Sequence, residues 1–308
     1  MTDQLKKYLL EDRTVRVQAV RLHQTWLEAQ VNHDYPPAIK HLLGELVAAS
    51  TLLAANLKFD GSLVMQLQGD GPIALLVVEC RSDLSLRATV KLRTGEAVPE
   101  TGTLQSLLNP GGNGRFIVLL DPHRKVPGQH PYQGIVPIEG ETVAEALSHY
   151  MRQSEQLDTR LWLAADSEHA AGLLLQRLPH QGGSGQAPAP GSASESWERV
   201  GHLAATLGEE ELLNTETDTL IHRLYWEETL IAFEPAEVRW KCGCTRKRVS
   251  EMLRMLGRAE VESILAERGD VEVACDFCGK PYLFDAIDCA RLFSGAQSLP
   301  EQDPPTVH

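Results

Sequence analysis

Two cysteine pairs near the end of the chain constrain its fold more than any other feature: Cys242-Gly243-Cys244 and Cys275-Asp276-Phe277-Cys278-Gly279. Four thiolates can close a tetrahedral shell around zinc, with each sulfur about 2.3 Å from the metal. That requires the thirty residues between the pairs to fold back on themselves. Their pattern permits it. Val249, Met252, Leu253 and Leu256 mark a helix starting just after Cys244, and Val261, Ile264 and Leu265 mark a second. Gly269-Asp270 gives a turn, and residues 271–274 alternate as a strand running into Cys275. The Cys-x-x-Cys-Gly half is a common metal knuckle. In the Cys-x-Cys half, Gly243 is expected to give the backbone freedom to turn both side chains one way. A helix N-terminus, with Arg246, Lys247 and Arg248, is expected to favour thiolates at this place. We therefore expect Cys242, Cys244, Cys275 and Cys278 to bind one Zn2+ per chain.

A permanent structural staple is the ordinary role of such a site. Two features leave a removable staple open as well. Every ligand is a cysteine, so an oxidant can destroy the whole coordination shell. Each cysteine also has a close neighbour for a disulfide, and a Cys-x-Cys bridge would be tight and readily reduced. Structural zinc contributes roughly 10–16 kcal/mol of apparent free energy in small modules, so its loss is expected to unfold this one.

The rest of the chain reads as a mixed, mainly antiparallel α+β core followed by a helical middle region. Strands are expected at 14–20, 62–68, 73–80, 85–92, 116–120, 135–138, 161–165 and 171–178, and helices at 37–57 and 141–154. Gln181–Ser196 has no large apolar side chain and reads as a flexible linker. From Trp197 to Leu230 short amphipathic helices return, with stripes at Val200, Leu203, Ala204 and Leu207 and at Leu220, Ile221, Leu224 and Tyr225. Such helices need a partner surface. The expected domains are 1–178, 179–234 and 235–308.

The charged N-terminus lacks the apolar run of a secretory signal, and the apolar stretch 46–57 is too short and too polar to span a bilayer. A cytoplasmic protein that keeps its thiols reduced is expected. Cys80 and Cys289 stand apart from the two pairs and read as buried packing thiols.

Catalysis finds little support. Cys275-x-x-Cys278 is not placed early in a thioredoxin-like βαβ unit, the histidines lack zinc-protease spacing, and Gly111-Gly112-Asn113-Gly114 reads as a turn. A zinc-ribbon nucleic-acid binder is the stronger alternative. Seven Lys/Arg and one Glu lie between Arg239 and Arg258, yet the net charge is −13 and Trp240 is the only aromatic in that run.

Nearly the whole chain resembles the redox-regulated bacterial chaperones of the 33 kDa heat-shock protein family. The resemblance is carried by LLGELVAASTLLAANLKFDGSLVMQLQGDGP at 42–72, YQGIVPIEGETVAEALSHYMRQSEQLDTRLW at 132–162, and the Cys-x-Cys and Cys-x-x-Cys-Gly-x-x-Tyr-Leu-Phe motifs at 242–284. It implies an ATP-independent holdase that is inactive while reduced and zinc-bound. Oxidation would form Cys242–Cys244 and Cys275–Cys278 disulfides and release the zinc. The chain would then unfold its switch module and helical region, dimerise, and bind unfolding client proteins.

Overall fold

The computed structural model describes residues 3–123, 131–179 and 192–294. Its contacts divide the chain into two units, Met1–Lys241 and Cys242–His308.

The first unit is built around the helix Pro37–Ala54. Pro36 and Pro37 open it, where the missing N–H groups cost nothing. It is apolar on nearly every side, as a helix buried on all sides must be. It packs against two sheets. At Gly44 an added Cβ would lie 2.3 Å from the Ala165 Cβ, so only glycine lets helix and sheet approach so closely.

One sheet runs in the order Leu230–Ala232, Gln4–Leu10, Val15–Leu22, Ala170–Arg177, Thr159–Ala165, with Ala236–Glu237 also pairing to Gln4–Leu10. The other runs Arg239–Trp240, Ser85–Leu92, Ile73–Arg81, Gly61–Gln68, Arg115–Pro122, Tyr132–Pro137. Every pairing is antiparallel except that of Arg239–Trp240 with Ser85–Leu92. The mainly antiparallel α+β expectation holds, and the eight expected strands lie within one or two residues of their places, apart from Tyr132–Pro137, which starts three residues earlier than expected.

Before residue 200, three parts of the first unit differ from the sequence reading. Gln4–Leu10 is a strand, although its charged residues hide the alternation. Tertiary partners satisfy those charges: the Lys6 ammonium lies 2.6 Å from Asp218, and Lys7 donates to the Ala55 carbonyl at the end of the central helix. Short helices at Gln24–Gln30 and Leu104–Leu108 were also not anticipated. Finally, 192–196 belong to the helix Ser192–Ala204 rather than to a linker. Ser196 is buried there and donates to Asp12 Oδ2 at 2.7 Å, which fixes the start of the helix to the turn between the first two strands. The remainder of the linker expectation, 181–191, lies outside the described residues.

The helices Ser192–Ala204, Glu209–Asn214 and Thr217–Tyr225 find their partner surface on the outer face of the first sheet. Val200, Ala204, Leu220, Ile221 and Leu224 bury themselves with Leu10, Val15, Val17, Ala171, Leu173 and Leu175. Polar contacts ring this layer: Arg199 pairs with Glu228, and Arg160 bonds Glu198 while lying 4.7 Å above the Trp197 ring. Residues 230–240 then return to the two sheets through three very short strands.

Glu45, on the central helix, is 4% exposed. Burial pushes its carboxyl up to about 7, with Glu209 adding to the rise, while His41 and the Val143 N–H act against it. The folded state thus holds a proton that the unfolded chain releases near pH 4.3. Stability from this group is present in acid and is lost as pH rises from about 4.5 through 7. Glu45→Gln should therefore stabilise the protein at pH 8 by roughly 2–3 kcal/mol relative to its effect at pH 5. Denaturant melts of both proteins at the two pH values measure this, and an equal effect at both would contradict it.

The second unit holds the helices Arg246–Leu256 and Arg258–Arg268, the hairpin Val271–Ala274 with Pro281–Phe284, and the helix Ala286–Phe293. Val249 and Leu253 are buried as expected, but Met252 and Leu256 face outward at 38% and 48% exposure. Among the described residues its hydrophobic core has eight buried members: Val249, Leu253, Val261, Val271, Tyr282, Phe284, Cys289 and Leu292. So small a core rarely holds a domain together without a staple.

Candidate metal centre

The four sulfurs converge because two turns deliver them from opposite sides. Cys242 and Cys244 lie on the segment entering the helix Arg246–Leu256, where the Thr245 hydroxyl caps the helix by accepting from the Arg248 N–H at 3.2 Å. The helix N-terminus and its positive partial charge therefore begin right after Cys244. Cys275 and Cys278 sit on the tight turn of the hairpin. There the Cys275 N–H donates to the Lys280 carbonyl at 3.0 Å, and the Gly279 N–H donates to the Cys275 carbonyl at 2.8 Å. Gly279 has φ of 65°, a conformation that side chains disfavour.

All four ligand atoms lie within 4.8 Å of one another, and no disulfide joins them. Cys242 Sγ is 3.6 Å from Cys275 Sγ, and Cys244 Sγ is 3.4 Å from Cys278 Sγ. A tetrahedron with metal–sulfur bonds of about 2.3 Å has edges of about 3.8 Å. The donor set and its spacing therefore fit a four-coordinate, thiophilic metal ion.

Crowding of four half-buried thiols has electrostatic consequences. Burial pushes the Cys242 thiol up to about 11 and also raises Cys278. Cys275 goes the other way: burial opposes its ionisation, but the N–H groups of Cys278 and Phe277 donate to its sulfur and prevail. A metal ion would remove the conflict by stabilising all four as thiolates.

One local expectation needs correction. Gly243 does not have positive φ, so conformational freedom is not its role; an added Cβ would stand 3.0 Å from the Arg248 guanidinium, which donates to the Gly243 carbonyl at 2.7 Å. Arg246 also makes contacts of its own away from the four sulfurs. It lies 4.1 Å above the Phe284 ring, donates to the Leu283 carbonyl and pairs with Asp288. The residue that sequence reading missed is Tyr282, whose hydroxyl donates to Cys244 Sγ at 3.1 Å. Strand alternation supplied the signal, since it places Tyr282 and Phe284 together on the buried face.

Cys80 and Cys289 are both buried and lie outside the cluster. Burial pushes each thiol up, and nearby carboxylates add to it. Much of the basic run at 239–258 is already engaged: Arg239 with Asp83, Arg246 with Asp288, Arg258 with Glu262, and Arg254 with the Leu292 carbonyl.

A family model described as Hsp33 protein matches residues 3–285, which includes all four cysteines of the cluster. The chain belongs to the Hsp33 family. A protein of Methylobacillus flagellatus named 33 kDa chaperonin is 43% identical over 98% of both chains. One of the same name from Chromobacterium violaceum is 44% identical over 94% of both. The fold is similar to the crystal structure of the 33 kDa chaperonin, a heat shock protein 33 homolog, of Thermotoga maritima, with a TM-score of 0.76 at 22% identity over 95% of this chain and 98% of that one. Among the described residues, no helix is long and apolar enough to cross a membrane.

Proposed function

We propose that the chain is a cytoplasmic, ATP-independent holdase switched on by oxidation of its cysteine centre. Cys242, Cys244, Cys275 and Cys278 bind one Zn2+ in the reduced, inactive state. A peroxide oxidises one thiolate of a pair to a sulfenic acid, releasing hydroxide. The neighbouring thiol then displaces the sulfenic oxygen as water, leaving a disulfide. Two peroxides thus form Cys242–Cys244 and Cys275–Cys278 and leave the metal without ligands.

The observation that carries this reading is the convergence of four thiols in a unit with too small a core to stand alone. Residues 1–178 then act as the core and client-binding region, 179–234 as a linker with a metastable helical layer, and Cys242–His308, rather than all of 235–308, as the switch module with its tail, since 236–240 pair with the sheets of the first unit. The helical layer suits the role because its helices have 13, 6 and 9 residues, too short to persist without the sheet beneath them. Family membership supports unfolding proteins as partners, and a homodimer is the expected active form.

An oxidant titration tests this directly. Metal content, free thiols and suppression of client aggregation should change together as peroxide is added with mild heat. Equal suppression by the reduced, metal-bound form would sink the switch. Salt-sensitive RNA or DNA binding by that form would favour the nucleic-acid alternative instead.

A further inference from the structure

Three of the four sulfurs receive backbone N–H groups from their own turns: Cys242 from Cys244, Cys275 from Phe277 and Cys278, and Cys278 from Lys280. Cys244 has a side-chain donor, the Tyr282 hydroxyl at 3.1 Å. That phenol is held firmly. Tyr282 is 6% exposed, sits opposite Val273 in the hairpin register, and belongs to the core of the unit. The Lys280 ammonium lies 5.7 Å from its ring centre.

A hydrogen bond donated to a thiolate withdraws density from the lone pair that attacks an oxidant and that binds a metal. In the oxidative step, a Cys244 sulfur lone pair forms a bond to one peroxide oxygen as the O–O bond breaks and hydroxide leaves. The sulfur gives up two electrons and the peroxide is reduced. Sulfur loses its negative charge in that step, so a donor that stabilises the thiolate raises the barrier. We infer that Tyr282 is a positioning residue that sets the oxidation threshold of the centre by hydrogen-bonding the Cys244 sulfur. This rests on the redox reading above and adds to it a residue that is not a ligand. It also separates two roles of the hairpin: the turn supplies ligands, and the strand after it supplies the brake.

The test uses the full chain, reduced and loaded with Co2+ or Zn2+. Tyr282→Phe keeps the ring and removes only the donor. The sulfur-to-cobalt charge-transfer band should move to lower energy, a change that a merely structural role would not produce. Under dilute peroxide, zinc release followed with a chromogenic chelator should be about three- to tenfold faster, as expected for losing part of a hydrogen bond to a charged group. An unmoved band with an unchanged release rate overturns the inference while leaving the redox reading intact. A wild type that keeps its metal under peroxide overturns both. Should the phenylalanine variant fail to bind metal, 3-fluorotyrosine at position 282 provides a stronger donor of nearly the same shape. It should shift the band to higher energy and slow release, and no change in either would overturn the inference.

Discussion

Cys275→Ser should abolish metal binding and melt the second unit while the two sheets of the first unit keep their fold. Serine offers a neutral hydroxyl where the centre needs a thiolate, so one corner of the tetrahedron is lost. The effect should be large because the metal contributes on the order of 10 kcal/mol to small modules of this kind. Eight buried side chains do not replace that. Hydrogen exchange should show loss of protection from 246 to 293, with little change in the two sheets of the first unit. Chelation of the wild type should give the same pattern. Cys289→Ser and Cys80→Ser should each retain one metal per chain, because both thiols stand outside the cluster. A second unit that stays fully protected without metal would remove the energetic basis of the proposed switch.

The contrast between the two units also explains which features could be read from the sequence. The cysteine centre was legible because ligand spacing is a local constraint: a knuckle needs its two sulfurs a fixed few residues apart. The main strands were legible through alternation, as in Val15-Arg16-Val17, and the central helix through its length and composition. Gln4–Leu10 was not, because Lys6 and Lys7 occupy positions whose partners, Asp218 and the Ala55 carbonyl, lie far away in the chain. Leu230–Ala232, Ala236–Glu237 and Arg239–Trp240 are two or three residues long and owe their conformation to the strands they join.

The middle helices show the limit in another form. Their apolar stripes were visible, but the surface receiving them was not. A clue lay in Ala170–Arg177, which is buried on both faces almost throughout, as a strand covered on two sides must be. At the centre itself, the four clustered cysteines follow from residue type and spacing. The Tyr282 hydrogen bond depends on hairpin register, which no local pattern specifies.

The same helical layer allows the metal to be uncoupled from the proposed activity. Val200 is fully buried between its helix and the first sheet, among Leu10, Val15, Val17 and Ala171. Val200→Asp would place a carboxylate there with no cation to receive it, at a cost of several kcal/mol. Helices of 13, 6 and 9 residues cannot absorb that cost alone, so the layer should detach as a unit. Hydrogen exchange should lose protection across 192–225, while the four cysteines still hold one metal. The uncovered sheet face is apolar, and aggregation of an unfolding client should now be suppressed without oxidant. By comparison, Arg223→Ala removes only a partly exposed pair with Glu211 and should change stability by less than about 1 kcal/mol. If the layer detaches and the reduced protein still gives no protection, release of these helices is not what activates the chain. The block would then have to lie within residues 242–294 themselves.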